Sequence, residues 1–542
     1  MIVCVKFDPI FVDVMSLQVS KRSFSTSIAT GLLLLAGVIL LLGIYFYFAA
    51  SNPNSGSFSD SVRYLFMADY YRGTPNALTA QMARESMFPP AFPFVLAVFG
   101  AGTEAITTAH AVTTLTLLFS CGMYFWWLNT QQLTVNEGLM ALVLLLLLPG
   151  VFLHSLLIIS EFLFLAMVLG SLAAMEKSRS ADYWILIAAV LVGLSITTRT
   201  IGIALLPGLF LACRSLGYRK LILAAGLSLG PYVLWQLMRD SSMAGRGYVG
   251  VFSLYLEQFS LVEIFQNLGY QLQMIWQSWI RIFDRLLAFQ VVVLHSLLLI
   301  IVAPVFVSRL VQLKYEAVFL MVYLGIILLW PFPKELERFM IVLVPIFLFY
   351  CLLFIKQAVR KFELSAISHM LKAGIFGVIL ISITPSLFGI LHRYSMPAPE
   401  ELNVHRYSKS WYEQVSDSNT ILTAQKFESL YQLLWAVDDH ISEDECVYTT
   451  ARDIVTLYSH REGKNLPKDL YRNADDGYRL DITELDQCSY VLMIALQPVQ
   501  VPAYVSMYPI QALGEHMDPV LYSSITHDGV EQVVAAFVEI VR

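Results

Sequence analysis

An all-α polytopic membrane protein with a small C-terminal α/β soluble domain is the fold class this 542-residue sequence predicts, and three observations predict it. Hydrophobic residues make up 57% of the chain and charged ones 14%, with a mean hydropathy of +0.64, outside the range of a water-soluble globule. Apolar runs of about 18 or more residues recur, each long enough to cross ~30 Å of hydrocarbon. The charge balance then changes sign: residues 390–542 hold 23 acidic against 11 basic side chains, and the preceding part 18 against 24. The domain reading is 1–390 in the membrane, with 51–105 as an external loop carrying interfacial helices, and 391–542 as an external soluble domain. No basic patch with interleaved aromatics marks a nucleic-acid partner.

Lys21-Arg22 precedes an apolar run from about Ser27 to Phe48. That run is long for a cleaved signal peptide, so an uncleaved signal anchor is expected. About 11 spans are expected, at 27–50, 106–128, 134–152, 157–175, 182–197, 201–213, 221–238, 287–308, 316–331, 340–357 and 368–390. Residues 88–101 are too short to cross comfortably and read as a re-entrant or interfacial piece. The pair 182–197 and 201–213 is too long for one helix, and Lys177/Arg179 and Arg214/Arg219/Lys220 bracket it. A helical hairpin with its tip at Thr197-Thr198-Arg199-Thr200 satisfies both facts.

Placing these basic residues with Lys21/Arg22, Arg309/Lys314 and Lys356/Arg360/Lys361 on one side obeys the positive-inside rule. The N-terminus is then cytoplasmic. Asp60, Arg199, Arg338, the loop 239–286 and the acidic tail face outward, and Glu161 lies about 7 Å below the outer end of its span at ~1.5 Å per residue. The expected setting is the inner (plasma) membrane of a bacterium, with the tail in the periplasm or at the cell surface.

The tail alternates strand-like runs (446–450, 490–495, 533–541) with helical patterns (424–436, 451–460), enough for one small α/β domain. It shows no catalytic constellation. The six cysteines have no metal-ligand spacing. Cys121, Cys213 and Cys351 fall in or beside apolar runs, whereas Cys446 and Cys488 share the tail, where export permits a disulfide between them.

The candidate chemistry gathers on the outer side. Residues 60–72 read as a helix started at Ser59 and ended at Gly73. Asp60, Arg63, Tyr64, Met67 and Tyr71 share one face at 100° per residue, with Val62, Leu65, Phe66 and Asp69 opposite. Such a helix suits the interface, its polar face toward a cavity. Glu161 and Arg199 each cost a few kcal/mol in hydrocarbon unless paired or solvated, so they pair for structure or line a polar cavity. Lys334-Glu335-Leu336-Glu337-Arg338-Phe339 is an external charged turn whose Arg338 offers a guanidinium fork suited to phosphate. His110 and His154 are isolated and read as packing residues. No His/Cys/Asp cluster supports a metal site, and no Gly-rich phosphate loop is present.

Taken in order, these residues resemble the GT-C glycosyltransferases, membrane enzymes that use polyprenyl-phosphate sugars and include protein O-mannosyltransferases and lipid A aminoarabinose transferases. The elements are Asp60-x-x-Arg63-Tyr64, Phe88-Pro89-Pro90-Ala91-Phe92-Pro93, Ser160-Glu161, Gly193-Leu194…Thr198-Arg199 and Glu337-Arg338-Phe339…Pro345, over roughly residues 27–390. One departure stands out. Aminoarabinose transferases carry lysine directly before Pro-Pro, where this chain has Phe88; Arg84, one helical turn earlier, is the candidate substitute.

The resemblance implies a polyprenyl-phosphate-sugar donor, a glycan, lipid or protein acceptor, and in-line attack with inversion. Asp60 is then the general base. Arg63 either orients Asp60 or contacts phosphate. Arg84, Arg199 and Arg338 are donor-phosphate ligands, and Tyr64, Glu161 and Glu337 line the substrate cavity. No cofactor is expected; some relatives use a divalent cation, but a single well-aimed carboxylate favours a metal-independent reaction. A lipid-linked sugar flippase or an O-antigen polymerase or ligase is the alternative. A transporter is expected to show internal repeats and midplane helix breaks; no repeat is evident here, and the ionisable residues cluster at the outer ends of spans rather than at the midplane.

Overall fold

The computed structural model describes residues 21–54, 59–214, 217–238, 261–330, 335–361, 368–414, 416–442, 444–449, 451–465, 471–474, 477–480, 485–494, 517–527 and 529–540. Of the expected external loop, residues 239–260 lie outside them, as does Lys334 of the charged turn.

The anchor run forms helix α1 (Lys21–Ala50). Three short helices follow: α2 (Ser59–Arg72), α3 (Ala77–Arg84) and α4 (Ala91–Val98). Gly73, at φ +73°, takes the left-handed turn that ends α2. The expected spans then appear as helices: α5 (Ile106–Thr130), α6 (Val135–Leu147), α7 (Pro149–Ser155), α8 (Glu161–Lys177), α9 (Tyr183–Thr198), α10 (Leu206–Cys213) and α11 (Tyr218–Met238). A capping box of Thr134 and Glu137 starts α6. Pro149, which cannot continue the hydrogen-bond ladder, bends the chain by 64° into α7.

Helix α12 (Leu261–Phe283) leads to α13 (Phe289–Val311), α14 (Tyr315–Leu328), the short α15 (Leu336–Met340), α16 (Val344–Lys361) and α17 (Ser368–Ser395). Among the described residues, six helical segments are long and apolar enough to cross a membrane alone, and the bent α6–α7 pair adds a seventh. Helices α9, α14 and the 200–213 segment are apolar but shorter. All eleven expected segments coincide with helices, although length alone does not make each a complete crossing.

Helix α8 is the hub of the bundle: every residue from Glu161 to Met175 is buried. The continuous segment Leu336–Lys361 is 83% buried over its apolar window, whereas α11 is only 11% buried and presents its apolar surface outward, as a lipid-facing helix does. Gly193 lets α9 and α11 touch, since a Cβ there would lie 2.6 Å from the carbonyl oxygen of Leu227.

After α17 come a 3-10 turn (Glu400–Tyr407), α18 (Lys409–Glu413) and α19 (Asp417–His440), then a mixed sheet. Strands β1 (Cys446–Thr449), β2 (Glu462–Asn465) and β5 (Tyr490–Ile494) are mutually parallel, while β6 (Met517–His527) and β7 (Val530–Ile540) add antiparallel, giving the order β2-β1-β5-β7-β6. The sequence patterns anticipated β1, β5 and β7; β6, broken by Pro519 and a bulge, carried no clean alternation. A separate hairpin pairs β3 (Tyr471–Ala474) with β4 (Gly477–Leu480). Helix α19 and α20 (Arg452–Ser459) cover one sheet face through Leu430, Leu434, Val455 and Phe537. Cys446 and Cys488 are disulfide-bonded, joining the start of β1 to the approach of its neighbour β5.

Candidate active site

The segment 156–160, between α7 and α8, is the spine of the site. Its carbonyls cannot all be satisfied within a helix, and the segment after α1 supplies donors. Asn52 Nδ2 donates to Leu156 O at 3.1 Å, Ser61 Oγ donates to Ile158 O at 2.9 Å, and the Tyr64 and Ser160 hydroxyls lie 3.1 Å apart. These bonds lace α2 to the start of α8 and bring Asp60 beside Glu161.

Two arginines complete the cluster. Helix α9 ends at Arg199, whose extended backbone (φ −149°, ψ 129°) turns its side chain inward onto Glu161. Arg338, on α15, bonds Asp60 Oδ2 through Nη1 at 2.5 Å and Glu335 Oε2 through Nη2 at 2.9 Å, and its Nε lies 3.5 Å from Glu161 Oε1. Asp60, Glu161, Arg199 and Arg338 are all less than a tenth exposed. Both guanidinium groups also lie over the Phe339 ring, 4.6 Å away for Arg199 and 5.8 Å for Arg338.

With all groups ionised, three carboxylates face two guanidiniums. Glu161 Oε2 has no hydrogen-bond partner among the described residues. Beside this cluster a narrow groove opens, walled by Tyr64, Pro89, Thr198, Arg199, Trp330 and Phe339. It combines a cationic side chain with apolar and aromatic surface, a combination that suits an anionic headgroup carrying a hydrocarbon tail.

No family model and no curated protein matches the sequence. Among solved structures, the chain is similar to ArnT from Cupriavidus metallidurans in the apo state, at 13% identity over 94% of this chain and 98% of that one, with a TM-score of 0.51. ArnT from the same organism bound to undecaprenyl phosphate aligns at 12% identity over 96% and 98%, with a TM-score of 0.49. An oligosaccharyltransferase from Archaeoglobus fulgidus aligns at 11% identity over 91% and 73%, with a TM-score of 0.48. The first alignment runs nearly end to end in both chains. The chain has the GT-C fold.

Within this GT-C fold the predicted residues divide into those the structure gathers and those it sends elsewhere. Asp60, Tyr64, Glu161, Arg199 and Arg338 converge. Arg63 does not join them: it lies 60° round α2 from Asp60, its Nη2 forms an ion pair with Asp453 Oδ1 at 2.7 Å, and its Nη1 donates to Met82 O at 2.9 Å. Arg84 is exposed and, among the described residues, donates only to its own helix, at Ala80 O, while the neighbouring Glu85 holds the end of α3 against Arg452 at 2.9 Å. Glu337 is one helical step from Arg338 and so faces a different way, pairing with Arg285 and lying 3.8 Å from His154.

The expected interfacial α2, with one face on lipid, is also corrected. Asp60 to Asp69 are buried almost throughout, with Val62 and Phe66 packed on Met82 and Leu457 and with Leu65, Met67 and Ala68 packed on Phe88 and Phe92. Asp69 does point away from Asp60, accepting from the Thr103 amide at 3.1 Å and hydroxyl at 2.6 Å. His110 and His154 are buried, each against a backbone carbonyl (Asn54 O and Gly150 O).

Sequence reasoning passed over Glu335 and Arg285. Glu335 carried a usable signal, since it sits three residues before Arg338 on a helical turn. Arg285 carried none, because its partners Glu337 and Glu413 are 52 and 128 residues away. Among the described residues no group of three or more His, Cys, Asp or Glu is arranged to hold a metal ion.

The clasp between α2–α3 and α20 yields a measurable expectation. Arg63–Asp453 and Glu85–Arg452 flank the apolar contact of Val62, Phe66 and Met82 with Leu457. In a double-mutant cycle, Arg63→Ala and Asp453→Ala should couple by about 1–2 kcal/mol in unfolding of the detergent-solubilised protein. Additive effects would show that the pair does not hold the loop to the sheet.

Proposed function

We propose that the chain is a membrane glycosyltransferase that moves a sugar from a polyprenyl-phosphate-linked donor to an acceptor on the outer, periplasmic side of the inner membrane. The observation that carries this reading is the convergence of Asp60, Glu161, Arg199 and Arg338 beside a half-open, aromatic-walled groove in a GT-C fold. A cytoplasmic N-terminus and an external acceptor-facing domain over 391–542 complete the proposal.

The chemistry assigns each group one task. The donor phosphate sits against Arg199 and Arg338, with its lipid along the apolar wall of Trp330, Pro89 and Phe339. An acceptor hydroxyl or amine attacks the anomeric carbon as the carbon–oxygen bond to phosphate breaks. The acceptor proton passes to Asp60, the polyprenyl phosphate departs, and the sugar inverts. Arg338 links the two halves of the step. Its fork is held by Asp60, Glu335 and Glu161, and an incoming phosphate competes for the same N–H groups, freeing Asp60 to act as base. Glu161, bonded to Arg199 and facing Arg338, positions both guanidiniums.

Mass spectrometry of envelope glycans and glycolipids tests the proposal. Cells lacking the protein should lose one sugar unit and accumulate its donor. Intact glycans, or a carrier trapped on the inner face, would favour a flippase instead. Because arginine meets each carboxylate of the cluster and the departing phosphate, transfer should also persist within about twofold in EDTA. A chelator-dependent loss restored by Mg²⁺ or Mn²⁺ would put a cation into the step.

A further inference from the structure

The groove holding Arg199 is at one end of the 156–161 segment; at the other end, walled by Leu156 and Leu157, lies a second, small cavity. It sits where the membrane helices meet the C-terminal part, and its chemistry is unlike that of the first. Its aromatic wall is His405 with Phe427 and Tyr431, the His405 ring parallel to that of Tyr431 with centroids 6.4 Å apart. Facing groups are amides and hydroxyls: Asn52 and Asn54 from the loop after α1, and Ser408 and Ser410, whose hydroxyls are 3.0 Å apart.

The charges present cancel, since Lys409 lies 3.0 Å from Glu413. Burial depresses the basicity of His405, which favours its neutral ring; with Nε2 donating to Glu428 at 3.3 Å, Nδ1 is left as an acceptor. Flat apolar surface plus a neutral ring of donors and acceptors matches a pyranose, which has C–H faces and hydroxyl edges. It does not match a phosphate, for which the cavity has no surplus positive charge.

Resting on the transferase reading above, we propose that this cavity binds the sugar of the acceptor, so that the acceptor is a saccharide or glycolipid carrying a neutral sugar. A polar continuation supports more than one unit. Glu428 also lines an outer groove with Gln425, Gln432 and Thr526. Trp435, 53% exposed, lies three residues beyond Gln432 on the same helix.

The test uses the full chain in nanodiscs and reads two ligands separately. Saturation-transfer NMR with glucose, galactose, mannose and N-acetylglucosamine reports the sugar cavity, and decaprenyl phosphate binding reports the donor groove. At least one sugar should give transfer signals that fall about tenfold in Ser410→Trp, which fills the cavity, and in the gentler Ser408→Ala/Ser410→Ala pair. Decaprenyl phosphate affinity should be unchanged in both. Absence of signal from all four sugars, or signals that survive both variants, overturns this inference while leaving the transferase reading intact. A wild-type protein that fails to bind decaprenyl phosphate overturns the transferase reading itself.

Discussion

Asp60→Asn should insert and fold as the wild type does, yet transfer sugar about 10²–10⁴-fold more slowly, the usual weight of a positioned general base. Asparagine keeps the shape of the side chain and an oxygen for Arg338 Nη1, so the bond now seen at 2.5 Å has a neutral replacement. What it loses is the capacity to take a proton. The same substitution removes a negative charge from beside Arg338, and donor binding should therefore tighten. At ~7 Å and an effective dielectric constant near 20, one carboxylate repels a phosphate charge by about 2 kcal/mol, or roughly 30-fold in affinity. Opposite movements of turnover and polyprenyl-phosphate affinity are the signature, read by single-turnover transfer and equilibrium binding. A variant that loses both together has lost a structural pair, and one with wild-type turnover has lost nothing catalytic.

Arg338→Lys makes the second large prediction. The guanidinium spreads over Asp60, Glu335 and Glu161 from three nitrogens at once, whereas an ammonium is a point charge that cannot span them. Charge-assisted hydrogen bonds contribute about 1.5–3 kcal/mol each, so losing one to the donor phosphate should raise the donor KM about 10- to 100-fold. The acceptor KM should move little, because the acceptor does not share that fork. Equal effects on both substrates would remove Arg338 from phosphate binding. Glu335→Gln is a useful companion: it keeps the contact with Nη2, removes a competitor for the fork, and should weaken donor use far less than Arg338→Lys.

The sequence made the bundle readable because hydrocarbon imposes one strong local rule. A span needs a long apolar helix; all eleven segments expected between residues 27 and 390 coincide with helices, and among the described residues six, or seven with the bent α6–α7 pair, are long enough to cross alone. The break at Arg199, the early stop at Gly73 and the strands Cys446–Thr449 and Val530–Ile540 follow from similarly local signals. The members of the charged cluster were legible one at a time, since Glu161 and Arg199 are conspicuous in apolar surroundings and Asp60 opens the first helix after α1. Their partners were not. Asp60 and Arg338 are 278 residues apart, and nothing local distinguishes that pairing from the Asp60–Arg63 pairing that helical spacing suggests.

Composition and apolar periodicity by themselves determined a polytopic helical chain, an acidic sheet-bearing tail and a set of costly charges near one membrane face. Only the tertiary structure decided which charge meets which. It gave Arg63 to Asp453 of the tail, left Arg84 on the surface and turned Glu337 toward Arg285, while Arg338 came to bridge Asp60, Glu335 and Glu161. The physical reason is one of range. Burial preference is a property of each side chain and its near neighbours, whereas an ion pair depends on where two distant helices end and how each is rotated when they pack.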